Sequence, residues 1–287
     1  MQPDFDPNLL SAPEPSAAWL DASWKALLQL SFAVRGEKTV LVSRQHYGPL
    51  SVQRPFYPEG NLCHVYLLHP PGGVVAGDQL GIQIELAPAA QSLLTTPAAG
   101  KFYTSTGAEA KQTVKLKVAA QASLEWLPQE TIIYEGARLS TDTEVDLHPS
   151  GHFIGWEIFA LGRPVAGEGF ERGQLDLSWR IFCGERLLYR ERLVIDAQTF
   201  AARWGMNGNS ACATLFAYPA TPHMLAKVQG LIADQTERGV TLIDNLLICR
   251  GIDARADRLR DFFHTVWQLI RADMLQRPAC SPRIWAT

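Results

Sequence analysis

Gln174-Leu-Asp-Leu-Ser-Trp-Arg-Ile-Phe182 places apolar side chains at Leu175, Leu177, Trp179 and Ile181 with polar ones between them. A period of two marks a strand with one buried and one wet face. The same alternation recurs around it, in Gln79–Leu86, Lys111–Val118, Leu139–Leu147, His152–Phe159 and Arg186–Ile195. Thr39-Val-Leu-Val-Ser43 is rich in β-formers. Leu62-Cys-His-Val-Tyr-Leu-Leu68 is almost continuously apolar, as a strand buried on both faces is. Pro70-Pro-Gly-Gly73, Pro149-Ser-Gly151 and Cys183-Gly-Glu185 separate these runs as turns. Many strands with short connections predict a predominantly β chain of layered or coiled sheets. No strict sequence repeat marks a regular solenoid.

Helical periodicity is confined to the C-terminal part, where two α-helices are expected. Thr221-Pro222 reads as an N-cap followed by proline at the first helical position. A second helix is expected from about Asp257 to Gln276. There Leu259, Phe262, Phe263, Val266, Trp267, Ile270 and Met274 recur at steps of three and four and form one broad apolar stripe. Val240–Ile248, between the two, reads as a β-run that ties them to the sheet. Residues 1–20 contain Pro3, Pro7, Pro13 and Pro15 among Asp4, Asp6 and Glu14, and are expected to be a flexible tail. Residues 21–287 are expected to form a single β-rich domain.

The 287 residues are 47% hydrophobic and 19% charged, the balance of a folded globular protein. Twenty-six basic against 29 acidic residues leave a net charge of −3, without the basic face that a nucleic-acid binder needs. The five cysteines are scattered and none forms a C-x-x-C pair, which disfavours a zinc ribbon or a disulfide framework. No apolar run approaches a membrane span, and the first residues lack the pattern of a signal peptide. The expected location is the cytoplasm.

Nucleotide binding fails on its motif. Gly100-Lys101 is followed by Phe102 and has no glycine at position 95, and Gly36-Glu-Lys-Thr39 lacks the glycine beside its lysine. No G-x-S-x-G elbow or H-E-x-x-H helix is present. The densest cluster of special residues is His69-Pro-Pro-Gly-Gly-Val-Val-Ala-Gly-Asp78. It reads either as a tight β-connection with Asp78 capping amides, or as a polar loop whose Asp78 and His69 line a cavity or metal path. Glu130, Glu157 and Glu191 each sit among apolar neighbours. Such carboxylates must face water, pair with a cation or line a polar interior. Glu191 is expected to pair with Arg190 or Arg192 or to stand on an exposed face. Several such acids along one channel would attract divalent cations and hold them loosely, because oxygen donors bind Ni²⁺ less firmly than imidazole or thiolate. Cys63 and His64, adjacent in a strand, should point to opposite faces and not share a metal. In the late helix Phe262, Phe263 and Trp267 read as core, or in part as a partner-binding surface.

The chain resembles the urease accessory protein family UreD, also called UreH. The resemblance rests on Gln45-His-Tyr-Gly-Pro-Leu-Ser-Val-Gln-Arg-Pro-Phe-Tyr-Pro-Glu59, His69–Asp78, Lys101-Phe-Tyr-Thr-Ser105, Leu124-Glu-Trp-Leu-Pro-Gln-Glu130, Leu161-Gly-Arg-Pro164 and Pro282-Arg-Ile-Trp285. It covers about Trp24 to Thr287, with Ala76 where glycine is expected. It implies a β-helix-like scaffold with a pair of helices and no catalysis of its own. It also implies partners UreF, UreG and the apo-urease subunits, with a homodimeric arrangement in the accessory complex. No cofactor is expected to be tightly bound. Nickel passes transiently, through a polar tunnel for which Asp78, Glu130, Glu157 and Glu191 are the candidate carboxylates, and GTP hydrolysis falls to UreG. Two other readings stand beside this one: a metal-dependent hydrolase built on His69 and Asp78, and a structural β-protein whose acids are exposed or paired.

Overall fold

The computed structural model describes residues 24–105 and 107–286; the tail expected over residues 1–20 lies outside them. The chain begins with β1 (Lys25–Arg35), β2 (Lys38–Tyr47), β3 (Ser51–Val52), β4 (Cys63–Leu68), β5 (Gln79–Leu86) and β6 (Gln91–Thr95). Then come β7 (Gly100–Phe102), β8 (Ala110–Val118), β9 (Ser123–Trp126), β10 (Thr131–Ile133), β11 (Arg138–Leu147) and β12 (His152–Leu161). The last part holds β13 (Gln174–Cys183), β14 (Arg186–Ile195), α1 (Ala197–Ala201), β15 (Ala211–Tyr218) and α2 (Pro222–Ile232). It closes with β16 (Arg238–Ile243), β17 (Leu246–Asp253) and α3 (Ala256–Leu275). None of the described helices is long and apolar enough to cross a membrane.

From β4 to β13 the chain passes back and forth between two sheets. One has the order β14-β13-β11-β8-β5-β1-β2, and the other runs β16-β17-β15-β12-β9-β6-β4-β3 with β10 and β7 beside β12. Strands β5, β8, β11 and β13 are mutually parallel, as are β4, β6, β9 and β12. A chain that alternates sheets while each sheet stays parallel is a coil of β-rungs, the β-helix-like form the sequence resemblance implies. The turns on one side are tight, with Ala89 and Gln121 held at positive φ of 62° and 60°. The other side carries the long loops, including His69–Asp78.

Period-two alternation decides what each strand contributes. On β12, Phe153 and Phe159 point between the sheets, whereas Ile154, Trp156 and Ile158 point outward beneath α3. The ten-stranded sheet therefore packs on both faces, which is why β4, β6, β9 and β15 are almost wholly buried. Thr221 caps α2 as expected, accepting from the Met224 N–H. The run Val240–Ile248 divides into a hairpin, β16 and β17, turning at Asp244, whose φ is 50°. Phe263 and Trp267 have no exposed surface, so the α3 stripe is core at those two positions and a partner cannot reach them. Only Phe262 keeps some access, with Arg238 over its ring.

α3 is seated by an ionic joint. Arg271, fully buried, donates Nε to Glu125 Oε2 at 2.8 Å and Nη2 to Glu59 at 2.8–2.9 Å, and its Nη1 reaches the Pro278 carbonyl. Trp267 Nε1 donates to the same Glu125 oxygen at 2.7 Å, and Glu59 also holds His64 Nε2 at 2.7 Å. Burial would lower the Arg271 pKa, but the two carboxylates outweigh it and hold it above its ordinary value. Burial likewise opposes the ionised Glu59, yet the hydrogen bonds from His64 and Arg271 bring its pKa below the usual range. Cys63, next to His64, faces the other way into the inter-sheet core. Replacing Arg271 by Met leaves Glu125 buried without its cation, and should cost about 3–5 kcal/mol in denaturant unfolding. Because Glu59 is depressed, its contribution is complete above the unfolded glutamate pKa of 4.5 and is lost as pH falls below it. Unfolding followed from pH 5 down to pH 3 should steepen in the wild type and flatten in Glu59→Gln.

Candidate functional site

A row of polar side chains crosses the inter-sheet core where apolar ones are otherwise the rule. In the ten-stranded sheet Glu157 of β12 pairs with Thr214 of β15, and Thr214 with Arg250 of β17. Facing them in the other sheet, Thr143 of β11 pairs with Trp179 of β13, and Trp179 with Glu191 of β14. Strand period and register alone bring these residues together from six strands.

Glu157 and Glu191 border one small chamber of about 20 Å³ with Cys212, Trp179 and Thr214, room for a single water-sized body. Burial raises the Glu157 pKa to about 8, and the Glu191 charge adds to the rise. The Trp179 indole N–H works the other way, although it is buried without a formed hydrogen bond. Glu191 is paired with neither Arg190 nor Arg192. Those neighbours project from the opposite face of β14, and Arg192 is taken by Asp176 at 2.7 Å. Its partners come from inside: Arg250 Nη2 at 2.9 Å and the Tyr189 hydroxyl at 3.0 Å.

Glu157 also borders a larger cavity of about 190 Å³, which extends past Thr143 and Trp156 to Lys101, Gly73 and His69. Trp156 and Glu157 lie on opposite faces of β12, so this cavity passes through the sheet. The reason lies in the neighbouring strands. β9 ends at Trp126 opposite Gly155, and β10 begins at Thr131 opposite Phe159. Leu127–Glu130 bows away between them, as 96–99 does between β6 and β7. Residues 156–158 therefore lack a strand on that side, and the Trp156 indole bridges the gap to the Pro128 carbonyl at 2.8 Å. Trp285 stands at the outer rim, stacked on His264 at 4.2 Å and donating to Thr95 Oγ1 at 2.9 Å.

The His69–Asp78 loop forms the other rim. Asp78 is buried and uses both oxygens on backbone amides, Val75 N at 3.0 Å and Trp24 N at 3.2 Å, so it locks the loop to the start of β1. His69 lines the cavity; burial lowers its pKa and the Asp78 charge pulls it back. Gly73 permits the close approach of Lys101 and Tyr103, where a Cβ would sit 2.4 Å from the tyrosine ring. The left-handed position is Gly77, at φ 85°, so Ala76 is under no such demand. Glu130 lies on the α3 side of the opening, held by Arg260 at 2.8 Å.

Of the four sequence candidates, the structure brings Glu157 and Glu191 together, puts Asp78 behind His69 at one rim, and leaves Glu130 outside the sheet. Among the described residues no three His, Cys, Asp or Glu side chains are arranged to hold a metal ion. Sequence reading missed Arg250, Thr214, Trp179 and Glu125. Arg250 in Leu-Ile-Cys-Arg-Gly and Glu125 in Leu-Glu-Trp-Leu carry the same signal that marked Glu157, a charge inside an apolar run.

A family model described as UreD urease accessory protein matches residues 25–286. The urease accessory protein UreD of Pseudomonas putida (strain W619) is 45% identical over 268 residues, covering 93% of this chain and 96% of its own. That of Alcanivorax borkumensis is 44% identical over 272 residues, 92% of each chain. That of Alkalilimnicola ehrlichii is 41% identical over 282 residues, 96% of each.

The raised Glu157 pKa has a measurable consequence. The folded state keeps its proton up to about pH 8 while the unfolded chain releases it near 4.5, so stability present below pH 4.5 is lost as pH rises toward 8. At about 1.4 kcal/mol per pKa unit the loss amounts to a few kcal/mol. Glu157→Gln should therefore be near neutral in denaturant unfolding at pH 5 and stabilising at pH 8.

Proposed function

Because the chain belongs to the UreD family of urease accessory proteins, we propose that it is a non-catalytic scaffold of urease maturation that conducts Ni²⁺ through its own interior. In this reading it works in the cytoplasm, binds apo-urease and the accessory proteins UreF and UreG, and delivers the cation toward the urease active site. In the same reading GTP hydrolysis falls to UreG, which agrees with a sequence that lacks the phosphate-binding loop motif.

The polar row through the inter-sheet core carries the proposal. Placing Glu157 and Thr214 in the inter-sheet core, with Glu191 half-buried beside the half-exposed Arg250, costs stability that an all-apolar core would keep. A passage for a hydrated cation gives that cost a purpose. The route starts at the His69 and Asp78 rim, follows the 190 Å³ cavity to Glu157 and narrows at the chamber shared with Glu191. There a cation must shed water and displace the Glu157 proton. Carboxylate and hydroxyl oxygens bind Ni²⁺ weakly enough to release it again. Glu130, paired with Arg260 under α3, stays outside this route.

Reconstitution tests both parts. Purified apo-urease is given nickel, bicarbonate, GTP and the other accessory proteins, with and without this chain. Activation should require the chain, and equal activation without it would overturn the scaffold reading. Glu157→Leu should assemble normally yet lower activation toward the level seen without the chain. Full activation by that variant would remove the conduit and leave the scaffold.

A further inference from the structure

The coil ends at β14 in one sheet and β16 in the other, and these two strands leave a groove of about 360 Å³ between them. Tyr189, Val240, Thr241, Ile243, Ile248 and Arg250 line it. Arg250 is the one charged side chain of this lining, and its half-exposed guanidinium, held by Glu191, is the group there that a carboxylate would seek. The outer edge of β16 pairs with no other strand among the described residues, and it presents backbone donors and acceptors suited to an extended segment. α2 and α3 cover the outward face of β16 through Val240 and Leu242, and leave the groove side of Thr241 and Ile243 open.

Arg250 also joins the groove to the interior. Its Nη2 lies 2.9 Å from Glu191 and contacts the Tyr189 hydroxyl, which donates to the same Glu191 oxygen at 3.0 Å. Glu191 is a wall of the inner chamber, and Arg250 is a wall of the groove. A fixed guanidinium between the two repels a divalent cation and occupies the carboxylate that would receive it. Yet the pair is built to move, since the Arg250 side chain is 49% exposed and an ion pair of that kind is weak.

We propose that the groove receives an extended, acidic segment of a partner protein added along the free edge of β16, and that a carboxylate of this segment draws Arg250 off Glu191. The ion pair is then a gate. It is shut in the free chain and open in the assembled complex, so that metal passes only when a recipient or donor is docked. The inference rests on the conduit reading and names what controls its narrow end.

Cys212 reports the state of the gate, because its thiol lines the chamber behind Arg250. Labelling by a small cationic thiosulfonate, read at the Cys212 peptide by mass spectrometry, should rise when UreF or apo-urease is added to the wild-type chain. Arg250→Leu should raise labelling of the free chain about fivefold, the factor that an exposed ion pair is worth, and Arg250→Lys should not. Thr241→Glu sets a carboxylate on the groove side of β16, two residues along from Gly239, the register partner of Arg250. It should open the chamber without any partner and weaken partner binding, whereas Thr241→Gln should do neither. Circular dichroism of each variant checks that it is folded. Wild-type labelling indifferent to both partners, or an Arg250→Leu variant that labels like wild type, would overturn the gate. If Glu157→Leu abolishes activation while the gate variants change nothing, only the gate falls. If Glu157→Leu leaves activation intact, the conduit itself falls.

Discussion

Everything above the seven-stranded sheet depends on how one buried guanidinium is satisfied. Arg271 has no exposed surface, and a cation in that position is tolerable only with anionic partners in good geometry. Glu125 comes from β9 and Glu59 from the segment before β4, so the joint holds α3 against two rungs of the coil at once. With α3 seated, Trp156, Ile154 and Leu215 gain a second apolar layer, and the ten-stranded sheet becomes an inner wall instead of a surface. Its strands can then be apolar on both faces, and what remains polar inside them stands out as deliberate.

The two buried ionic sites solve the same problem in opposite ways. At the α3 joint two carboxylates meet one guanidinium, one imidazole and one indole N–H at 2.7–3.0 Å, which fixes a geometry. At the inter-sheet row Glu157 has no cation of its own, Trp179 has an unused N–H, and Glu191 depends on an arginine half in solvent. The first arrangement is tight and structural. The second is under-satisfied at rest, the condition in which an arriving cation gains most by binding and a local element moves most easily.

Much of the coil was legible because one face of the seven-stranded sheet is wet. Gln79–Leu86, Lys111–Val118, Leu139–Leu147 and Gln174–Phe182 alternate, and each is a strand within a residue or so of the expected bounds. Ala211–Tyr218 gave no such signal. Every residue of it but Thr214 is buried, so no wet face imposes an alternation. The rungs carry no sequence repeat because successive turns meet different neighbours: loops on one side, α3 over part of one sheet, solvent over the other. The candidate site was legible only in part. Acids in apolar runs pointed to Glu157 and Glu191, which border one small chamber. The partner expected for Glu191 failed because residues adjacent in a strand point apart, so Arg190 and Arg192 were on the wrong face from the start. Arg250 reaches it only through the pairing of β15 with β17, a long-range fact that local pattern does not contain.

The coil also explains why a cavity exists here at all. In a two-layer stack the space between sheets is filled by side chains meeting from both walls, and a gap opens where a rung is shortened. β9 and β6 each stop early and resume as β10 and β7, and the two interruptions lie side by side. Two neighbouring breaks remove backbone from the wall across consecutive rungs, and no single side chain is long enough to refill that space. Trp156, Trp126 and Trp179 take up much of it, since large flat rings span a gap that aliphatic chains leave open. What they leave is lined on one side by indole and on the other by hydroxyl and carboxylate. The same interruptions place Glu125 and Glu130, which flank the bowed segment, where α3 can grip them. Break, cavity and helix seat are consequences of one local shortening of the strands.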